Sequence, residues 1–95
     1  MPFAYCKISL HLPECHSLKQ KRSVLATLMT KMRQLNISLI ESAQQDSWQF
    51  ATLDLVLVAG SQAILDQQLA EVEKIITKHF LQVQLLNFSK ESYLS

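Results

Sequence analysis

Apolar and polar residues alternate from Phe3 to Leu12, with Ala4, Cys6, Ile8, Leu10 and Leu12 on one side and Phe3, Tyr5, Lys7, Ser9 and His11 on the other. A period of two marks a β-strand with one buried face. Pro13, which has no amide hydrogen to donate, ends it. The period then changes. Over residues 18–35 a turn of 100° per residue gathers Leu18, Val24, Leu25, Leu28, Met29, Met32 and Leu35 into one arc, which predicts a helix packed on the sheet through that arc. Ser17 stands at the N-cap, with Gln20 three residues later in the capping-box position. The leucines and methionines of the arc read as core rather than as a ligand-binding set.

Residues 36–42, with Ile37, Leu39 and Ile40, predict a short strand. Residues 48–59 predict the longest one: Leu53, Leu55 and Leu57 face one way, and Trp48, Phe50, Thr52, Asp54, Val56 and Val58 the other. The polar turn between them, Ala43 to Ser47, contains no glycine, and its type is left open. Gly60 closes the second of these strands and Ser61 can cap a second helix, whose arc over residues 62–79 holds Ile64, Leu65, Leu69, Val72, Ile75 and Ile76. Residues 81–88 predict a last strand, with Val83, Leu85, Leu86 and Phe88, followed by a polar tail, Ser89–Ser95. Two right-handed crossovers then put both helices on one sheet face. The expected fold is a single domain over residues 1–95. It is an α+β two-layer sandwich, ferredoxin-like β-α-β-β-α-β with a four-stranded antiparallel sheet and strands 1 and 3 at its centre. The other sheet face stays open, and function is expected there.

Composition alters this picture little: 95 residues, 48% apolar and 18% charged, with net charge +1, describe an ordinary globular chain. Low charge with high apolar content often leaves an apolar face for a partner. The distribution of charge says more. Residues 1–45 hold six cations against two carboxylates, net +4, and residues 46–95 three against six, net −3, which predicts a basic and an acidic side. Two cysteines, Cys6 and Cys15, make no disulfide framework. No signal-peptide pattern is read, and the longest apolar run, Leu53 to Gly60, is interrupted by Asp54 and far too short to span a bilayer. A cytoplasmic protein without a membrane role is expected.

Four groups of residues are candidates for chemistry. Lys19, Arg22 and Arg33 share one flank of the first helix, and Lys31 lies opposite. Lys21 falls inside the apolar arc, where its stem is expected to pack while its head escapes past the sheet edge. Cations near a helix start oppose the helix dipole, and an anionic partner there would offset this. Lys19, Lys21, Arg22 and Arg33 are therefore the candidate anion- or RNA-binding set, against the plainer reading of a solvated flank. Second, Phe3 and Tyr5 on strand 1 are expected beside Trp48 and Phe50 on strand 3, near Ile40, Val56, Val58 and Leu86. RNA-recognition domains stack bases at comparable places, but their glycine- and aromatic-rich signature is missing. Such a patch is more often a protein interface, so a homo-oligomer is expected, with a small-molecule wall as a further alternative. Third, His11, Cys15 and His16 offer two nitrogens and a sulfur, but their spacing matches no closed zinc site and Cys6 points into the core, so no metal and no cofactor are expected. Fourth, Glu41 and Asp46 flank the turn without a histidine partner and read as hairpin anchors. Acylphosphatases share the fold class but need a glycine-rich phosphate cradle, and copper chaperones need a close cysteine pair; the chain has neither. No catalytic constellation is found, and an enzyme is not expected.

Three stretches carry a family likeness: Leu12-Pro13-Glu14-Cys15-His16-Ser17-Leu18-Lys19-Gln20-Lys21-Arg22, then Asn36-Ile37-Ser38 with Glu41, then Asp46-Ser47-Trp48-Gln49-Phe50-Ala51. Together, and over nearly the whole chain, they resemble the YlxP-like family of small uncharacterised bacterial proteins, a domain of unknown function. The resemblance implies a ferredoxin-like fold. Genes of the family often sit near translation and ribosome-maturation genes, which implies a connection to RNA. Relatives commonly carry an acid where this chain has Gln20 and often Arg where it has Phe50, so the open face is more apolar here. The family supplies no catalytic residues. The expected function is a cytoplasmic interaction module associated with RNA or the ribosome through the basic helix flank. The alternative is a self-associating structural or regulatory module with no nucleic-acid or catalytic role.

Overall fold

The computed structural model describes residues 1–79 and 82–94. Along the chain come β1 (Pro2–His11), α1 (Leu18–Met32), β2 (Ile37–Ala43), β3 (Phe50–Val58), α2 (Gln62–His79) and β4 (Gln84–Leu94). The strands form one sheet in the order β2-β3-β1-β4, with every neighbouring pair antiparallel. β1 and β3 are central, as the alternation predicts. Their apolar positions meet in register, Ala4 with Leu57, Cys6 with Leu55, Ile8 with Leu53 and Leu10 with Ala51. All eight are buried in one cluster with Leu25, Leu28 and Met32 of α1 and Leu65, Leu69, Val72 and Ile76 of α2. Both helices therefore cover the same sheet face, since burying each large aliphatic side chain stabilises by about 1.5–3 kcal/mol. The architecture is the expected ferredoxin-like sandwich.

Capping sets where α1 begins. Ser17, in extended backbone, accepts from the Gln20 amide at 3.1 Å through its hydroxyl, and the Gln20 side chain accepts from the His16 amide at 2.6 Å. The box is thus reciprocal but reaches one residue further back than the usual pairing with the N-cap amide. Ser61 caps α2 in the same way, accepting from the Ile64 amide at 3.3 Å. The half-buried Leu35, the last member of the predicted α1 arc, lies beyond the helix and still packs against the core.

The chain departs from expectation at its end. Ser89 onward is strand, not a polar tail: β4 continues to Leu94, which pairs with Pro2. Only Leu85 and Phe88 in β4 are even half-buried, so backbone pairing with β1 rather than burial holds this edge, and no hydrophobic alternation signals it. A register shift opposite Ser9 and Leu10 sets Leu86 between Asn87 and Leu85, outside the regular ladder. Leu81, where the strand was expected to begin, and Ser95 lie outside the described residues.

The charge asymmetry is only partly realised in the helix layer. α1 exposes Lys19, Arg22 and Lys31 and carries no acid, while α2 exposes Asp66 and Glu73 but also Lys74 and Lys78; Lys31 and Glu71 line the same crevice between the two helices.

Candidate functional site

Lys21, Arg22 and Arg33 of the predicted basic set line one groove, but they do not present their charges alike. Lys21 is 1% exposed, one of the most buried side chains of the chain. Its Nζ donates to the Gln44 carbonyl at 2.6 Å and lies 3.1 Å from Glu41 Oε2, which has no other partner. The expectation that the head snorkels to solvent and meets an anion is thus corrected: the helix aims it inward under the β2–β3 turn, where a carboxylate and a carbonyl compensate it. The same contact explains the turn. Gln44 has φ 63°, the only positive φ at a non-glycine among the described residues, and left-handed backbone costs an L-residue about 1–2 kcal/mol. Lys21 fixes its carbonyl and Thr52 Oγ1 donates to its side chain at 2.8 Å, so both ends of Gln44 are held.

Three cations remain on the outer flank of α1. Lys19 and Arg22 are exposed, and Arg33 Nη2 donates to the Leu39 carbonyl at 2.8 Å. Leu39 belongs to the edge strand β2, so Arg33 also places a charge on an edge that would otherwise offer free pairing groups. A groove of about 310 Å³ is lined from α1 by Lys21, Arg22, Leu25, Ala26 and Met29, with Arg33, and from β2 and its turn by Glu41 and Gln45. Among the described residues the ion pairs are Lys7–Asp54 and Lys21–Glu41, so Lys19, Arg22 and Arg33 have no carboxylate partner.

The open sheet face follows from the strand register. Across β1 and β3 its rows are Phe3 with Val58, Tyr5 with Val56, Lys7 with Asp54, Ser9 with Thr52, and His11 with Phe50. One end is apolar: Val56 (44% exposed) and Val58 (46%) lie beside the half-buried Tyr5 and Phe3, and Phe3 stacks on Tyr93 at 5.0 Å, while Ile40 (59%) is exposed on β2 in the next row, paired with Asp54. In the middle Lys7 Nζ meets Asp54 Oδ1 at 3.2 Å. At the far end His11 stacks on Phe50 at 4.8 Å and its Nδ1 lies 3.1 Å from Gln84 Oε1. The four aromatics expected side by side are therefore split. Antiparallel pairing brings the start of β1 against the end of β3, so Phe3 and Tyr5 sit at one end and Phe50 at the other. Trp48 precedes β3 and is 54% exposed, in no strand.

Gln49, a residue of the family-like stretches to which no role was given, clamps the fold. Its Nε2 donates to the carbonyls of Pro13 and Cys15 at 3.3 and 3.2 Å, and its own carbonyl accepts from the Leu12 amide at 2.7 Å. Lys21, Glu41 and Gln49 are thus joints between elements, while Ser17 fixes the start of α1. Glu41 was legible by parity: in β2 it follows Ile37 and Leu39 on the core side, where a carboxylate needs a cation.

Cys6 and Cys15 are both free and buried, while His16 is exposed, and no group of three His, Cys, Asp or Glu among the described residues is placed to hold a metal ion. Burial pushes the Cys6 thiol up to about 11 from 9.0, against the pull of Lys90. Burial also raises Cys15, with Lys21 lowering it and Glu14 adding to the rise. A thiol whose pKa is higher when folded keeps its proton only in the folded chain once pH exceeds the unfolded value. Stability is therefore expected to hold up to pH 9.0 and to fall as pH rises to about 11. Urea midpoints at stepped pH should show this, and Cys6→Ala should lower the plateau but flatten the alkaline decline; an unchanged decline would assign it to other groups.

Among the described residues no helix is long and apolar enough to cross a membrane. A family model described as a protein of unknown function (DUF503) matches residues 3–90. The uncharacterized protein YlxP of Bacillus subtilis (strain 168) is 31% identical over 71 residues, 74% of this chain and 75% of that protein. Among solved structures, a dabb family protein with a ferredoxin-like fold from Mesorhizobium loti superposes with a TM-score of 0.57 at 11% identity, covering 100% of this chain and 98% of the other. A dimeric ferredoxin-like protein from an uncultured marine organism gives 0.51 at 9% identity, covering 100% and 96%. The de novo designed protein Foldit4 gives 0.56 at 4% identity, covering 100% and 99%. At such identities the likeness is one of fold. The family match spans nearly the whole chain and agrees with the YlxP relative: this chain belongs to the DUF503 family of proteins of unknown function.

Proposed function

We propose that this chain is a non-catalytic interaction module that works as a pair of copies joined through the open sheet face. The observation that carries this reading is the apolar end of that face, where Val56 and Val58 stay exposed beside Phe3 and Tyr5, with Ile40 exposed one row further in. Contiguous apolar surface of this kind on a small domain marks an association site. One protein of the same fold is described as dimeric, which supports the reading. Two free, buried thiols fit a reducing, cytoplasmic setting. Sedimentation of the intact chain at micromolar concentration is the test. A dimer is expected, and a monomer that persists as concentration rises overturns the proposal.

A second reading gives the helix layer to RNA or the ribosome. It is favoured by Lys19 and Arg22 of α1 and Arg33 at its C-cap, which have no carboxylate partner among the described residues and lie away from the open face. With Lys21 withdrawn into the fold, two or three phosphates are engaged, and log affinity for ribosomal RNA fragments should fall with log salt at a slope of about −1.5 to −2.5. The Lys19→Ala/Arg22→Ala double variant should make the slope shallower for every sequence while leaving stability nearly unchanged, since exposed charges contribute little. Equal binding by variant and parent, or binding by neither, removes this reading.

A further inference from the structure

We propose that the two copies stack face to face about a two-fold axis running parallel to the strands, midway between β1 and β3, so that Lys7 of each copy faces Asp54 of the other. This rests on the reading of the open face as a self-association surface and adds how the copies meet.

A two-copy interface with closed symmetry is isologous: the same patch must be complementary to itself. For two sheets packed face to face, the axis lies in the plane between them, along the strands or across them. An axis along the strands keeps each row and exchanges the β1 and β3 columns. Phe3 then lies over Val58, Tyr5 over Val56, and Lys7 over Asp54, given the register of the two strands. In these two central columns apolar side chains meet apolar ones, and each ion pair, closed at 3.2 Å within its own copy, meets its opposite charges in the other, while Ile40 on β2 falls over Ser89 on β4. The remaining carboxylate of the face, Glu91 on β4, falls over Ser38 on β2. An axis across the strands keeps the columns and reverses the rows. Lys7 would then lie over Lys7 and Asp54 over Asp54, and the Phe3 end would lie over the His11 end. Like charges would be opposed and Val56 would face Thr52, although Val58 would meet Phe50 and Ile40 its own counterpart. Aligned sheets pack about 10 Å apart with strands offset by roughly 30°, which leaves the central rows facing one another.

The size of the face suits a second copy. Four strands at ~4.8 Å spacing and ~3.3 Å rise per residue give, for strands of about ten residues, a face of roughly 600 Å² in projection. Side-chain relief brings this near the ~800 Å² per partner that stable interfaces use.

The test mixes two single variants of the full chain, Phe3→Cys and Val58→Cys, one of them tagged, and treats them with a short bis-maleimide. Cys6 and Cys15 are buried and stay out of the reaction. The mixture of Phe3→Cys with His11→Cys is the counterpart that the transverse axis would link. A strong link in the first mixture and a weak one in the second is expected. The reverse overturns this arrangement while leaving the pairing of faces intact. A sedimenting dimer with no link in either mixture places the contact on another surface, and a monomer removes the pairing itself, so the two failures are distinguishable. Should Phe3→Cys sediment as a monomer, Tyr5→Cys with Val56→Cys, against Tyr5→Cys with Ser9→Cys, asks the same question one row further in.

Discussion

Lys21→Ala is expected to lower stability by about 3 kcal/mol, because removing one partner of a buried pair leaves an uncompensated charge. The substitution leaves Glu41 Oε2 without its cation and the Gln44 carbonyl without its donor, and it empties the space under the turn. Glu41 keeps some contact with solvent, which holds the cost toward the lower end of the range for broken buried pairs. For a domain of this size the melting temperature should fall by about 10–20 °C. The Lys21→Met/Glu41→Leu double variant should recover most of the loss, since a buried ion pair replaced by apolar residues of similar volume is often close to neutral. Urea denaturation of parent, single and double variants measures this. A Lys21→Ala variant within 1 kcal/mol of the parent would mean that water takes the place of the lysine, and the joint between α1 and the turn would then be a weak one.

Val56→Asp is expected to have the second large effect, on association rather than on folding. Val56 is exposed in the single chain, so a carboxylate there is solvated and the fold should persist. In the pair, the change occurs twice by symmetry. It replaces two apolar contacts with Tyr5 by two desolvated charges, each beside an Asp54. The loss should amount to about 3 kcal/mol or more, a dissociation constant raised on the order of 100-fold. Sedimentation equilibrium gives the number directly, and circular dichroism confirms that the single chain is still folded. Association as tight as the parent's would exclude Val56 from the contact.

What was legible before the structure followed from how strongly burial imprints a period on the chain. β1, β3 and the two helices each have one buried side, so Cys6, Ile8, Leu53, Leu28 and Val72 repeat at the spacing of their element. β4 beyond Phe88 has no such side. It is held by backbone pairing to β1, a bond that every residue type except proline can make, so Ser89 to Leu94 read as a tail. The candidate site was legible in composition but not in position. Register decides which ends of two strands meet, and nothing in the spacing of Phe3, Tyr5, Trp48 and Phe50 shows that antiparallel pairing separates them. Lys21 was visible as an anomaly, a cation within an apolar arc, and Glu41 as another, a carboxylate at a core-facing position of β2. Each anomaly was read singly, as a snorkelling lysine and as a hairpin anchor. Together they solve one another, and this leaves Lys19, Arg22 and Arg33 as the exposed basic flank.

Isotope-filtered NMR on an equal mixture of ¹³C-labelled and unlabelled chains tests the central claim most directly, because it records only contacts between copies. The account predicts cross-peaks from the methyl groups of Val56 and Val58 in the labelled copy to the rings of Tyr5 and Phe3 in the unlabelled one. Absence of intermolecular cross-peaks from the open face at a concentration where the protein sediments as a dimer, or cross-peaks arising only from α1 and α2, would contradict it.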